Sequence, residues 1–196
     1  MNLVCLDMEG VLVPEIWIAV AQKTRIAELK LTTRDIPDYD KLMLRRLQIL
    51  RENKITLRDI QSVIARMQPL PGAKVFLDKL RHQAQVVILS DTYYEFAMPL
   101  MAKLGYPTLL CNKLSVDGKG FISNYHLRQR NGKKSAVEAF RGICYRVHAA
   151  GDSFNDIDML KAADRGVFFN PPQTIAEKFP QFKITRNYVQ LRQALL

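Results

Sequence analysis

Short β-branched runs alternating with stretches of helical period predict an α/β protein, a parallel sheet with helices on both faces. Three observations carry that reading. QVVILSD (85–91) is a continuous apolar run of strand length ending in polar residues, as a strand buried on both faces does. AKVFLDKLRHQ before it and EFAMPLMAKLG after it place apolar residues at helical spacing. The alternation breaks once, between residues 15 and 68, where three helix-period segments follow one another with no convincing strand between them.

The elements follow in order. Residues 2–7 form an apolar first strand. EIWIAVAQKTRIAEL, DYDKLMLRRLQILREN and TLRDIQSVIARM make a helical insertion over 15–68. Thr56 is an N-cap candidate, with Asp59 where a capping box would carry Glu or Gln. Trp17, Met43 and Met67 read as apolar core of this insertion. Pro69 to Gly72 punctuates the return to the α/β pattern. The core is thus expected over 1–14 and 69–196. TLLCNK (108–113) and RVHAAGD (146–152) are weaker strands, GVFFN (166–170) a further one, and KSAVEAFRGI a helix. SVDGKGFISNYHL reads as a β-hairpin turning at Asp117-Gly118.

A length of 196 residues suits one domain with a modest insertion, and 48% hydrophobic with 24% charged residues is ordinary for a chain that buries a core. No apolar stretch approaches the roughly 20 residues that cross a bilayer, so no membrane partner is expected. The first apolar run meets Asp7 too early for a signal peptide. Cys5, Cys111 and Cys144 lie far apart, and an odd number suits reduced thiols. A cytoplasmic location follows as the expectation. The net charge of +10 has two readings, a nucleic-acid-binding module or a basic surface that attracts a phosphorylated metabolite. Lys and Arg are spread from Lys23 to Arg192, with no RNA-binding or zinc-finger pattern, so the second is favoured and no nucleic-acid partner is expected. His82, His126 and His148 fall in no catalytic pattern.

Ligands of open α/β sheets sit beyond the carboxyl ends of the strands. Those ends carry Asp7 and Glu9, then Ser90 and Asp91, then GDSFND with Asp152, Asn155 and Asp156. Carboxylates crowded at one place repel unless a cation joins them, and oxygen ligands without a His or Cys cluster favour Mg²⁺. Lys133 or Lys134 opens the helix leading into the GDSFND strand. Singly, each piece has a plainer reading: Asp7 and Glu9 as solvated turn acids, or Ser90-Asp91-Thr92 as a cap for the next helix. Their order along the chain lifts the joint reading.

DMEGV, VVILSD, KKSAV and GDSFND together resemble the haloacid dehalogenase (HAD) superfamily of phosphotransferases, and more narrowly its phosphoserine phosphatase branch. The opening DMEGVLVPEIW is similar to that of bifunctional phosphoserine phosphatase/phosphoserine:homoserine phosphotransferases. The resemblance implies a Rossmann-like core with the insertion as a small helical cap, and a role in serine and threonine biosynthesis. It implies that Asp7 is the nucleophile that becomes an aspartyl-phosphate, and that Glu9 is the general acid/base whose backbone carbonyl joins Asp7 and Asp152 on Mg²⁺. Asp156 would steady Asp152 from behind. Ser90, the Asp91 N–H, Asn155 and the lysine would contact the substrate. Spacing fits either lysine; Lys133 is placed first. An acidic side chain beside a phosphate is unfavourable, so the Asp91 carboxyl is expected to point away. Glu15 would hold the ammonium and Arg46 the carboxylate of O-phospho-L-serine, with L-homoserine as a second acceptor; the alternative is another small phosphorylated metabolite. A monomer or homodimer is expected.

Overall fold

The apolar residues 3–6 alternate between two faces, as a central strand requires. In the computed structural model, which describes residues 1–32, 35–36 and 38–196, they form β1 (Asn2–Leu6). The sheet continues with β2 (Gln85–Tyr93), β3 (Thr108–Val116), β4 (Ile122–His126), β5 (Arg146–Gly151), β6 (Arg165–Phe169) and β7 (Lys183–Thr185). Its order is β4-β3-β2-β1-β5-β6-β7, parallel throughout except for the β3/β4 pair. The chain leaves β1 toward β2 and β3 on one side and toward β5 to β7 on the other. This reversal opens a crevice at the carboxyl end of β1.

Between β1 and β2 lie α1 (Ile16–Thr24), a 3-10 turn (Ala27–Lys30), α2 (Tyr39–Glu52) and α3 (Leu57–Ile64). The rest of the chain adds α4 (Ala73–Arg81), α5 (Tyr94–Lys103), α6 (Gly132–Gly142), α7 (Ile157–Ala162), α8 (Gln173–Lys178) and α9 (Tyr188–Leu195). Leu3 and Cys5 face one side, packing with Val137 of α6, Met159 of α7 and Ile175 of α8. Val4 and Leu6 face the other, with Leu77 of α4, Phe96 of α5 and Leu191 of α9. That second cluster runs on into the insertion through Val20, Met43, Leu50, Ile60 and Ile64, all almost fully buried. Each such side chain stabilises by about 1.5–3 kcal/mol, so apolar burial is the main force seating the insertion on the core. Among the described residues no helix is long and apolar enough to cross a membrane.

Several expectations need adjustment. TLLCNK and the first arm of the hairpin are one strand, β3, pairing with β2 through Asn112 and with β4 from Lys113 onward. At the hairpin tip, Asp117 accepts the N–H groups of Lys119 and Phe121 with its carboxylate. Gly120, not Gly118, takes the left-handed conformation there, at φ +84°. The strand β2 extends to Tyr93, with a register shift against β3 after Leu89; such a bulge re-aims side chains at a sheet end. Tyr93, rather than Ser90 or Thr92, precedes α5, and no side chain caps that helix. Thr56 and Asp59 do form a reciprocal capping box, Asp reaching where Glu is usual.

Candidate active site

The site is built at the ends of β1, β2 and β5. Asp7 is still held by the sheet, its N–H donating to the Ala150 carbonyl at 2.9 Å. One of its carboxylate oxygens accepts from the Met8 N–H at 2.7 Å. The chain then turns at Gly10, φ +77°, and a Cβ there would lie 2.4 Å from the Asp152 carboxyl. Only glycine leaves room for Asp7 and Asp152 to approach. Gly151 does the same for Asp156, whose Cγ would stand 2.3 Å from an added Cβ.

Beyond β5, Asp156 is fully buried and folds the GDSFND loop around itself. One of its oxygens accepts the N–H groups of Asp152 (3.0 Å) and Ser153 (3.1 Å). The other accepts from Lys133 Nζ at 2.7 Å. Lys133, in the first turn of α6, is 5% exposed and also lies 2.9 Å from Asp7 and 3.4 Å from Asp91. Lys134 points to the surface and pairs with Glu138 at 3.6 Å. The geometry thus separates the two lysines that spacing left open.

The Asp91 carboxyl does not point away. Half-exposed at the cavity mouth, it lies between Lys133 and the Asn155 amide, which donates to it at 2.9 Å. The ammonium and amide offer the charge and hydrogen bond that a lone acid would lack. Ser90, 7% exposed, sits beside it on the bulged strand end.

Asp7, Asp152 and Asp156 each present a carboxylate oxygen within 4.8 Å of the others. Lys133 supplies one positive charge against them and Asp91. Burial, and then the Asp156 charge, holds Asp7 well above the usual carboxylate range, with Lys133 pulling against both. Burial and Asp156 likewise push Asp152 up to about 7. This surplus of buried negative charge on hard oxygen donors fits a divalent cation such as Mg²⁺. The Glu9 carboxyl lies outside that trio. One of its oxygens accepts the Ile16 N–H at 2.8 Å, at the start of α1. Burial, followed by the neighbouring Glu15 charge, pushes Glu9 up to about 8, while the Ile16 N–H and the Thr92 hydroxyl pull it back. Burial beside Glu15 thus favours the protonated form of Glu9.

All the site residues expected from the sequence line one cavity of about 330 Å³, except Asp156, which is buried behind it. Glu15 and Arg46 form the insertion's side of it. Arg46 is 6% exposed, and its Nη2 donates to the Leu31 carbonyl at 2.7 Å. A wider cavity of about 670 Å³ adjoins beyond Asp91 and Asn155, with Arg128, Arg130 and Lys134 on its wall.

Sequence reasoning missed three contributors. Trp17 packs against the core as expected but is half-buried and also lines the cavity wall, whereas Met43 is fully buried. Tyr39 of α2 also lines the cavity, its hydroxyl 2.8 Å from that of buried Tyr93. Thr92 reaches Glu9 from β2. The signal for Trp17 was its place on the first turn of α1, two residues past Glu15; Tyr39 and Thr92 carried none. Of the histidines, His126 pairs with Ser115 on the hairpin and His148 with the Leu195 carbonyl; neither lines the cavity.

A family model for haloacid dehalogenase-like hydrolases matches residues 1–164. The chain is 55% identical over 196 residues to phosphoserine phosphatase ThrH of Pseudomonas aeruginosa, covering all of this chain and 96% of that one. It is 52% identical over 195 residues to a phosphoserine phosphatase of Pseudomonas syringae pv. tomato, covering all of this chain and 82% of the relative. A crystal structure of a phosphoserine phosphatase in apo form shares the fold, with a TM-score of 0.80 at 20% identity over 98% of each chain. A match over most of the length, and relatives above half identity along all of it, make this chain a member of the haloacid dehalogenase-like hydrolases, grouped there with the phosphoserine phosphatases.

Proposed function

We propose that the protein is a magnesium-dependent phosphatase that hydrolyses O-phospho-L-serine through an aspartyl-phosphate on Asp7. One observation carries the reading: a single cavity has the Asp7 and Lys133 pair on its floor and the opposite charges of Glu15 and Arg46 on its insertion side. That arrangement suits a phosphomonoester whose other end is an amino-acid zwitterion. The 55% identity to a phosphoserine phosphatase supports the same substrate.

Asp7 and Asp152, with the Glu9 backbone carbonyl, would hold Mg²⁺, which would neutralise negative charge on the phosphate facing Asp7. The Asp156 oxygens are already engaged by Lys133 and by two backbone N–H groups. Its part is therefore to fix the loop and the ammonium. The Asp7 carboxylate attacks phosphorus and the bond to the serine oxygen breaks. Protonated Glu9 donates its proton to that leaving oxygen. Glu9 then takes a proton from water as it attacks the phosphoaspartate, releasing phosphate and restoring Asp7. Lys133, the Ser90 hydroxyl and the Asp91 N–H hold the phosphoryl oxygens through both steps. Glu15 binds the ammonium of the substrate and Arg46 its carboxylate, which a planar guanidinium fork suits.

Phosphate release from O-phospho-L-serine with MgCl₂, lost on addition of EDTA and in Asp7→Asn, is the expected result. Undiminished turnover in Asp7→Asn rejects the mechanism. If Glu15→Ala and Arg46→Ala leave turnover of a different ester intact, the substrate is another phosphorylated metabolite. A second activity, transfer to L-homoserine, has its support in the DMEGVLVPEIW opening and in the Glu15/Arg46 pair, which accommodates either amino acid. Phosphohomoserine among the products tests it; its absence removes the transfer.

A further inference from the structure

Trp17 is the one tryptophan of the chain and stands two residues after Glu15. Its ring lies 4.4 Å from the Arg46 guanidinium carbon, measured to the ring centroid. Arg46 needs such a partner. Its nearly complete burial strips water from five donors, yet among the described residues it donates to one carbonyl, that of Leu31, and makes a weak contact of 3.7 Å to the Met43 sulfur. Among the described residues its Nε has no hydrogen-bond partner. The charges of Glu9 and Glu15 favour the cation from a distance, and the aromatic face at 4.4 Å stabilises it by direct contact.

The far side of the stack belongs to the core. Phe96 of α5, fully buried, meets Trp17 edge-on at 5.5 Å, and Tyr93 of β2 meets Phe96 at 5.7 Å. A side chain of the insertion is thereby located by rings anchored in the sheet and its covering helix.

Building on the proposed substrate reading, we propose that Trp17 is a positioning residue for specificity: it holds the Arg46 guanidinium against the cavity wall so that the donors not committed to the Leu31 carbonyl are left for the carboxylate of an amino-acid phosphomonoester. Trp17 touches the arginine rather than the reacting atoms. Its loss weakens recognition of the carboxylate and leaves phosphoryl chemistry alone. Substrates without a carboxylate are less sensitive to it.

Steady-state kinetics with O-phospho-L-serine and with O-phosphoethanolamine, the same ester without the carboxylate, test this in wild type, Trp17→Leu and Trp17→Phe. Trp17→Leu is expected to lower kcat/KM for phosphoserine about tenfold, through KM, with a clearly smaller loss on phosphoethanolamine; Trp17→Phe restores most of the loss. Equal losses on both esters, or no loss on phosphoserine, overturn the inference. Should Trp17→Leu not fold, the emission of the sole tryptophan in Asp7→Asn is the second measurement. Phosphoserine shifts it and phosphoethanolamine does not if the carboxylate engages the cation over the ring; identical responses overturn the inference. The substrate reading fails separately, when wild-type protein hydrolyses phosphoserine no better than phosphoethanolamine.

Discussion

Replacing Lys133 by methionine removes a buried charge while keeping most of the side-chain length. The ammonium lies 2.7 Å from Asp156 and 2.9 Å from Asp7. At an effective dielectric constant of about 20, each such pair attracts by roughly 6 kcal/mol. Desolvation of a lysine that is 5% exposed cancels much of that gain. Breaking a buried pair by removing one partner costs about 3–5 kcal/mol net, against a typical total stability of about 5–15 kcal/mol. The sign of the pH dependence follows from Asp7. Burial and Asp156 raise it, and Lys133 is the leading opposing influence, so the variant raises it further. A carboxylate raised in the folded state contributes stability that is fully present below its unfolded pKa and lost as pH rises through the folded one. The deficit of Lys133→Met relative to wild type therefore grows as pH rises, a trend that pH 5 and pH 8 bracket. Urea melts of metal-free protein at the two pH values measure it, with the slope checked for constancy. A gap of equal size at both, or none at the higher pH, would refute the electrostatic account of this site.

Two further outcomes follow from the same geometry. Gly10→Ala forces a left-handed conformation that costs about 1–2 kcal/mol and drives a methyl into the Asp152 carboxyl. The rise of Tm with added MgCl₂ should need more metal than in wild type, and an unchanged titration midpoint counts against Asp152 as a ligand. Glu15→Gln removes the charge that, after burial, does most to hold Glu9 at about 8. Proton donation needs Glu9 protonated, so the alkaline limb of kcat/KM for phosphoserine should move to lower pH. A limb that stays in place separates Glu9 from that limb.

Local pattern made much of this molecule legible. β2 is a run of β-branched residues, and its period and length say strand wherever it packs. The three insertion helices show their apolar faces at helical spacing, and Thr56 marks the start of α3. β7 was missed because three residues, KIT, are too few to show a period. The unity of β3 was missed because a strand that changes partners midway, from β2 to β4, reads as two. The placement of Asp91 went unforeseen for a different reason. Its carboxyl is drawn by Asn155 and Lys133, which come from other strands and helices.

The chain alone carries the kinds of chemistry: acids at the exits of apolar runs, a lysine pair opening a helix, and an acid and an arginine in a helical insert. These are properties of residue type and spacing, and they persist in any fold that keeps the strands parallel. Packing decides among them. Lys133 and Lys134 are neighbours in sequence, but about 100° apart around a helix, so the docking of α6 on the sheet turns one into the carboxylate cluster and leaves the other in water. Trp17 stands over Arg46 because α1 and α2 both seat on the same apolar core. Contacts of that kind join residues distant along the chain, and their energy exists only once the intervening surfaces have closed.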